Sequence, residues 1–243
     1  MALVIDVLRA STTICAALAS GAKGLYPVGT RAGARALRGA LMKEGTGEGI
    51  VLGGERGGVK IGGFDLDNSP ASYSRAAVGG RTVVFTTTNG TGAALACQKA
   101  GAARIVFGCF ANLSAVERVA RESGLAVHLV CAGSDGAVAL EDTIFAGVLV
   151  MRLLGKPVLG NAGKPLLGKA GNDWAELAMW AARSMGRTDQ ERATMAMARA
   201  AHAGRLAGLG FGGDLKTCAA VDSIGIVPEL NLASGRIVVS GTG

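Results

Sequence analysis

Short apolar runs alternate along this chain with longer stretches whose apolar residues recur every three or four positions. ALVIDV, at residues 2–7, is apolar except for Asp6 and predicts a buried strand. Ser11, Thr12 and Thr13 open a helix through ICAALASG that stops at Gly21. GLYPV reads as the next strand, and Thr30 caps the helix that follows. GIVLGG is strand again, and ERGGVKIGGFDLDN (55–68) is a polar, Gly-rich loop. Ser69-Pro70 starts a short helix, with Ser as cap and Pro at the first helical position. RTVVFT, ARIVFG and LAVHLVC are strands, each leading into a helix: GTGAALACQKAG, NLSAVERVARESG and VALEDTIFAGVLVMRLLG.

Strands alternating with helices of this length predict an α/β fold. The expected architecture is a layered α/β/α domain over residues 1–243, with a largely parallel or mixed sheet and room for two intimate lobes. The character changes after Gly155, where GKPVLGNAGKPLLGKAGN is rich in Gly, Pro and Lys, so a change of lobe is expected near 155–172. Two helices (173–184 and 189–206), a short helix and two strands joined through Ser234-Gly235 follow. GKPLLGKA (163–170) falls short of a nucleotide-binding P-loop, because Ala170 stands where a Ser or Thr would touch Mg²⁺ and no clear strand precedes it.

Composition changes this picture in a few places. Nearly half the residues are hydrophobic (49%), yet Gly or charge breaks every apolar run well before membrane-spanning length. MALVIDVLRAS has no basic segment leading into an apolar one, so no signal peptide is expected. The five cysteines form no CxxC and have no histidine at zinc-ligand spacing; buried thiols in a cytoplasmic, reducing compartment are expected. The net charge of +7 is dispersed, and Arg31, Arg35 and Arg38 recur at helical spacing, as on a solvated face. Few aromatics accompany the charge, so neither nucleic acid nor membrane is an expected partner. A small anion is, and a homo-oligomer is compatible with the sequence.

The candidate chemistry sits where strands end, the place where open α/β sheets bind ligands. VIDVLRAST puts Asp6 and Arg9 beside a helix start at Ser11 and Thr12. LGGERGGVKIGGFDLDN carries Glu55, Arg56, Asp65, Asp67 and Asn68 in a loop whose glycines let backbone approach a ligand. TTTNGT places Thr88, Asn89, Gly90 and Thr91 where backbone and hydroxyl donors can converge on a phosphate or sulfonate. In CAGSDGAVALEDT, Glu141 and Asp142 open a helix; the helix dipole alone favours acids there, and hard oxygen donors in this number suit Mg²⁺ better than zinc.

Taken in order, VIDVLRASTTI, GGERGG…GFDLDNSP, TTTNGT and CAG…ALEDTIFAG resemble the 2-phosphosulfolactate phosphatase family, from about Val4 to Gly147, with a weaker likeness through GDLKTCAAVDSIGIVPELN. The resemblance implies a Mg²⁺-dependent phosphatase that hydrolyses 2-phospho-3-sulfolactate to 3-sulfolactate and phosphate, on a route to coenzyme M. Under it, Asp6 with one or both of Glu141 and Asp142 would hold the metal, and Asp6, Glu55 or Asp65 would do the acid–base work. Thr88, Asn89, Gly90 and Thr91 would cradle one anionic group, Arg9, Ser11 and Thr12 another, and Arg56 would clamp the substrate. Two departures stand out. The chain begins almost at the first motif, where similar proteins carry a short extra strand, and Asp67 stands where a Gly is expected. An added carboxylate beside an anion site would repel the substrate unless it pointed away. The alternatives are therefore a phosphatase for another phosphorylated hydroxy acid, or a non-catalytic protein that binds a small anion.

Overall fold

A computed structural model describes residues 1–43, 49–155 and 171–241. GKPLLGKA and residues 156–170 of the expected lobe change lie outside these. The chain runs β1 (Ala2–Ile5), α1 (Ala10–Ala19), β2 (Gly24–Pro27), α2 (Arg31–Lys43), β3 (Ile50–Arg56) and β4 (Val59–Lys60). It continues through α3 (Arg75–Val78), β5 (Thr82–Thr86), α4 (Gly90–Lys99), β6 (Ile105–Gly108), α5 (Leu113–Glu122), β7 (His128–Cys131) and α6 (Leu140–Leu153). The last part holds α7 (Asp173–Ser184), α8 (Asp189–Arg199), α9 (Ala201–Gly208), α10 (Gly212–Ala219), β8 (Pro228–Asn231) and β9 (Arg236–Val239).

Among the described residues the strands form one mixed sheet in the order β4-β3-β5-β2-β9-β8-β6-β1-β7. Two parallel blocks, β3-β5-β2 and β6-β1-β7, are joined by the antiparallel β8–β9 hairpin. The hairpin meets each block through one residue pair, Leu25 with Ile237 and Val106 with Glu229. Ile14, Ala17 and Leu18 of α1 and Ala94 of α4 pack against Val4 and Phe107 of one block and Leu25, Val83 and Phe85 of the other. On the outer faces, α2 covers Ile50, Leu52 and Val84. Helices α5 to α8 cover Leu3, Ile5 and Val106. Strand side chains alternate between faces, and both faces of β1 are buried, which is why its sequence is continuously apolar rather than alternating.

Three local differences from the sequence reading have physical causes. The helix expected over 189–206 breaks at Ala200, whose backbone is extended (φ −66°, ψ 129°). No Gly or Pro marks the break. It lets Ala203 and Leu206 enter the same core as Ala196. Ser69 precedes a short 3₁₀ turn (Pro70–Ser72), but its hydroxyl makes no cap bond; it donates to Asp214 Oδ1 at 2.6 Å. The loop after Glu55 contains β4, paired antiparallel with the end of β3. Elsewhere the expected cap is present: the Gly33 N–H donates to Thr30 Oγ1 at 3.0 Å.

Candidate active site

The C-terminal ends of β1, β3, β5 and β7 converge, and α9 leans over them. The cleft between is lined by Asp6, Leu8, Arg9, Glu55, Gly58, Asn68, Thr88, Asn89, His202 and Arg205. A larger hollow of about 870 Å³ between β7, α6 and α7 is mostly apolar. It lacks the converging acids and donors of a reaction site, so the polar cleft is the candidate.

Asp6 follows β1 directly. Its Oδ1 accepts the Ala10 N–H at 3.0 Å and thereby caps α1, while its own N–H donates to Ser11 Oγ at 3.1 Å. The Leu8–Arg9 peptide of this turn is cis. Asp6 Oδ2 lies against Gly90, where an added Cβ would come within 2.6 Å of that oxygen. Burial, together with the nearby Glu55 and Glu141 carboxylates, raises the Asp6 pKa to about 7, against the pull of the Ala10 and Gly90 N–H groups. Arg9 is almost fully buried. Its Nη1 donates to Asp214 Oδ2 at 2.8 Å, its Nη2 to the Gly58 carbonyl at 2.9 Å, and its guanidinium lies 4.3 Å from the centre of the Phe211 ring.

Glu55 organises the threonine-rich turn. Its Oε1 accepts the Thr88 N–H at 2.7 Å, and its Oε2 accepts the Thr88 hydroxyl at 3.1 Å and the Gly58 N–H at 2.8 Å. Thr91 works inside the same turn. Its N–H donates to Thr87 Oγ1, and its own Oγ1 accepts the Thr87 N–H, both at 3.1 Å. The stacked threonines therefore tie the end of β5 to the start of α4, and Thr88 and Asn89 are left lining the cleft.

Glu141 and Asp142 open α6 and are both buried. Asp142 spends both oxygens on backbone: Oδ1 accepts Val7 N–H at 2.9 Å and Oδ2 accepts Gly133 N–H at 3.1 Å. Burial and the Asp6 charge hold its pKa well above the ordinary carboxylate range. Glu141 Oε2 is buried with no partner, and burial raises this carboxyl too. Asn68 Oδ1 is also buried and unpartnered.

Several expected residues lie elsewhere. Ser11 and Thr12 are fully buried beneath the turn; Thr12 Oγ1 donates to the Val7 carbonyl at 2.9 Å. Arg56 points away from the cleft, donating to the Gly29 carbonyl and to Thr86 Oγ1. Asp65 accepts the Leu52 N–H at 2.8 Å and faces Arg38 at 3.5 Å on an exposed surface. Asp67 Oδ1 accepts the Ser69 N–H and the Ser72 hydroxyl, both at 2.8 Å. Arginines of α2 serve the loop after β3 as well, since Arg35 Nη2 donates to the Gly62 carbonyl at 2.6 Å.

His202 and Arg205 were missed in sequence, as was Asp214, the counterion of Arg9. The available signal was the spacing in AHAGRLAG, which puts His202 and Arg205 one helical turn apart on one face. Nothing local says that this face meets the ends of β1, β3 and β5. Of the cysteines, Cys15, Cys97, Cys109 and Cys218 are buried as expected, whereas Cys131 is exposed at the edge strand β7.

Among the described residues no group of three or more His, Cys, Asp or Glu is close enough to hold a metal ion. Zinc, which takes three or four such ligands, does not fit. Mg²⁺ does: it typically takes one or two carboxylates and keeps several waters or substrate oxygens. Asp6, the unpartnered Oε2 of Glu141 and the unpartnered Oδ1 of Asn68 supply the hard oxygen donors it prefers.

Residues 1–232 match the 2-phosphosulpholactate phosphatase family. The chain belongs to that family. It is 35% identical to a probable 2-phosphosulfolactate phosphatase of Carboxydothermus hydrogenoformans over 98% of this chain and 90% of that relative. It is 38% identical to a like-named protein of Deinococcus radiodurans over 95% and 87%. A relative in Caldicellulosiruptor saccharolyticus, also called a probable 2-phosphosulfolactate phosphatase, is 44% identical over 61% of this chain and 60% of its own. The activity named for these family members is that of a phosphoric monoester hydrolase. No described helix is long and apolar enough to cross a membrane.

Proposed function

We propose that the cleft hydrolyses 2-phospho-3-sulfolactate to 3-sulfolactate and phosphate. One observation carries this reading. Four buried carboxylates (Asp6, Glu55, Glu141 and Asp142) have no salt bridge among the described residues, and two of them, Asp6 and Glu55, line the cleft. Buried carboxylates without counter-charge are costly. A substrate carrying phosphate, sulfonate and carboxylate would only add repulsion, so this arrangement calls for a cation. Asp6 and Glu141 would hold Mg²⁺, which when bound polarises a phosphoryl oxygen.

The protein's own groups supply orientation. The start of α4 offers its dipole, and Asn89 its side-chain amide, to phosphoryl oxygens. Glu55 holds Thr88 and Gly58 in place. Asp142 fixes the Val7 and Gly133 backbone so that the turn carrying Asp6 keeps its shape. The Asp67 carboxylate, turned into its own loop, gives no reason to move away from a sulfonated substrate.

Phosphate release from 2-phospho-3-sulfolactate, 2-phospholactate and phosphoglycerate, each with Mg²⁺ and with EDTA, tests the proposal. Turnover that needs Mg²⁺ and favours the sulfonated ester is expected. Turnover of phosphoglycerate alone would overturn the substrate assignment, and equal rates in EDTA would overturn the metal assignment.

A further inference from the structure

At the mouth of the cleft, one cation holds a carboxylate. Arg205 Nη1 of α9 pairs with Asp135 Oδ2 at 3.1 Å, in the loop between β7 and α6. The Asp135 N–H donates to Asn89 Oδ1 at 3.3 Å, so this single residue touches two groups that line the cleft. Asp135 has a left-handed backbone (φ 52°), unusual for a residue other than glycine. One helical turn from Arg205, His202 Nδ1 is buried with no partner. Burial and the charges of Arg205 and Arg9 lower the His202 pKa.

We infer that Arg205, flanked by His202, is the subsite for the second acid group of the substrate, and that Asp135 occupies it until that group arrives. The inference rests on the phosphatase reading above. The ligand chemistry is a sulfonate or carboxylate oxyanion beyond the phosphoryl group. The exchange costs little: Asp135 and Arg205 are both about half exposed, and exposed ion pairs contribute little. The substrate oxyanion would take over the charge-assisted contact with Arg205 that Asp135 gives up. Arg205 is thus a specificity-determining residue, and Asp135 a built-in competitor.

Steady-state kinetics of Arg205→Ala, Arg205→Lys, Asp135→Asn and the Asp135→Asn/Arg205→Ala double variant test this with 2-phospho-3-sulfolactate and 2-phospholactate. Arg205→Ala should raise KM about 10- to 100-fold, with a much smaller fall in kcat, as expected for one charged contact. Arg205→Lys should recover part of the loss. A loss confined to the sulfonated ester assigns the subsite to the sulfonate, and a loss on both esters assigns it to the carboxylate. Asp135→Asn should lower KM about two- to fivefold, and that gain should vanish when Arg205 is absent. An unchanged KM in Arg205→Ala, or an Asp135→Asn gain that survives without Arg205, overturns the inference. If the wild type hydrolyses neither ester, the phosphatase reading fails, and calorimetry with 3-sulfolactate decides the subsite separately. Binding by wild type that is lost in Arg205→Ala supports it, and equal or absent binding overturns it.

Discussion

Gly90 and Gly92 stand two residues apart in the first turn of α4 and have opposite surroundings. A Cβ at Gly90 would press within 2.6 Å of both Asp6 Oδ2 and the Ala10 methyl, whereas nothing lies within 4 Å of one at Gly92. Gly90→Ala should push Asp6 out of place, cutting phosphate release about 100-fold or more and costing about 1–3 kcal/mol. Gly92→Ala should leave activity intact and raise stability by about 0.5–1 kcal/mol, because alanine orders more cheaply in a helix. Thermal melts and a rate assay on the two variants check this. Glu55 offers a second test at this scale. Glu55→Gln removes an acceptor from a buried carboxylate that serves three donors, and should cost about 2 kcal/mol in a melt.

The elements show which parts of the fold local sequence could reveal. Strand–helix alternation is written in the period of apolar residues, so the elements from β1 to α6 were legible except β4 and α3, along with the strand ends where Asp6, Glu55, Thr88 and Asn89 gather. The break at Ala200 and the inward turn of α9 were not, since they follow from packing between distant segments and carry no Gly or Pro. The same holds for Asp214 on α10, which is 205 positions from the Arg9 it neutralises. Asp65 and Arg56 had the right chemistry at the right strand end, but side-chain direction is not readable from a glycine-rich loop. Asp214→Asn should leave Arg9 buried without a counterion, and breaking such a pair costs about 3–5 kcal/mol. A denaturant titration reads that loss directly.

At the scale of the whole molecule, the protein concentrates negative charge inside a chain of net charge +7. The dispersed basic residues favour polyanions, and under the proposed reading the buried acids would hold a cation. Asp6 titrates near 7 in the fold against 3.8 ordinarily. Between those values the unfolded chain has lost the proton and the folded one still keeps it, so stability contributed by this group falls as pH rises from about 4 to about 7. A cation beside Asp6 reverses the penalty. The rise in Tm on adding Mg²⁺ should therefore be larger at about pH 8 than at about pH 5.

The central claim, that the reaction takes place around Asp6 and not at the exposed Asp65, is met most directly by one comparison. Phosphate release from 2-phospho-3-sulfolactate would be measured for wild type, Asp6→Asn and Asp65→Asn under saturating Mg²⁺. The account predicts a loss of about 1,000-fold or more for Asp6→Asn and a rate within about threefold of wild type for Asp65→Asn. Full activity in Asp6→Asn, or a loss confined to Asp65→Asn, would contradict it.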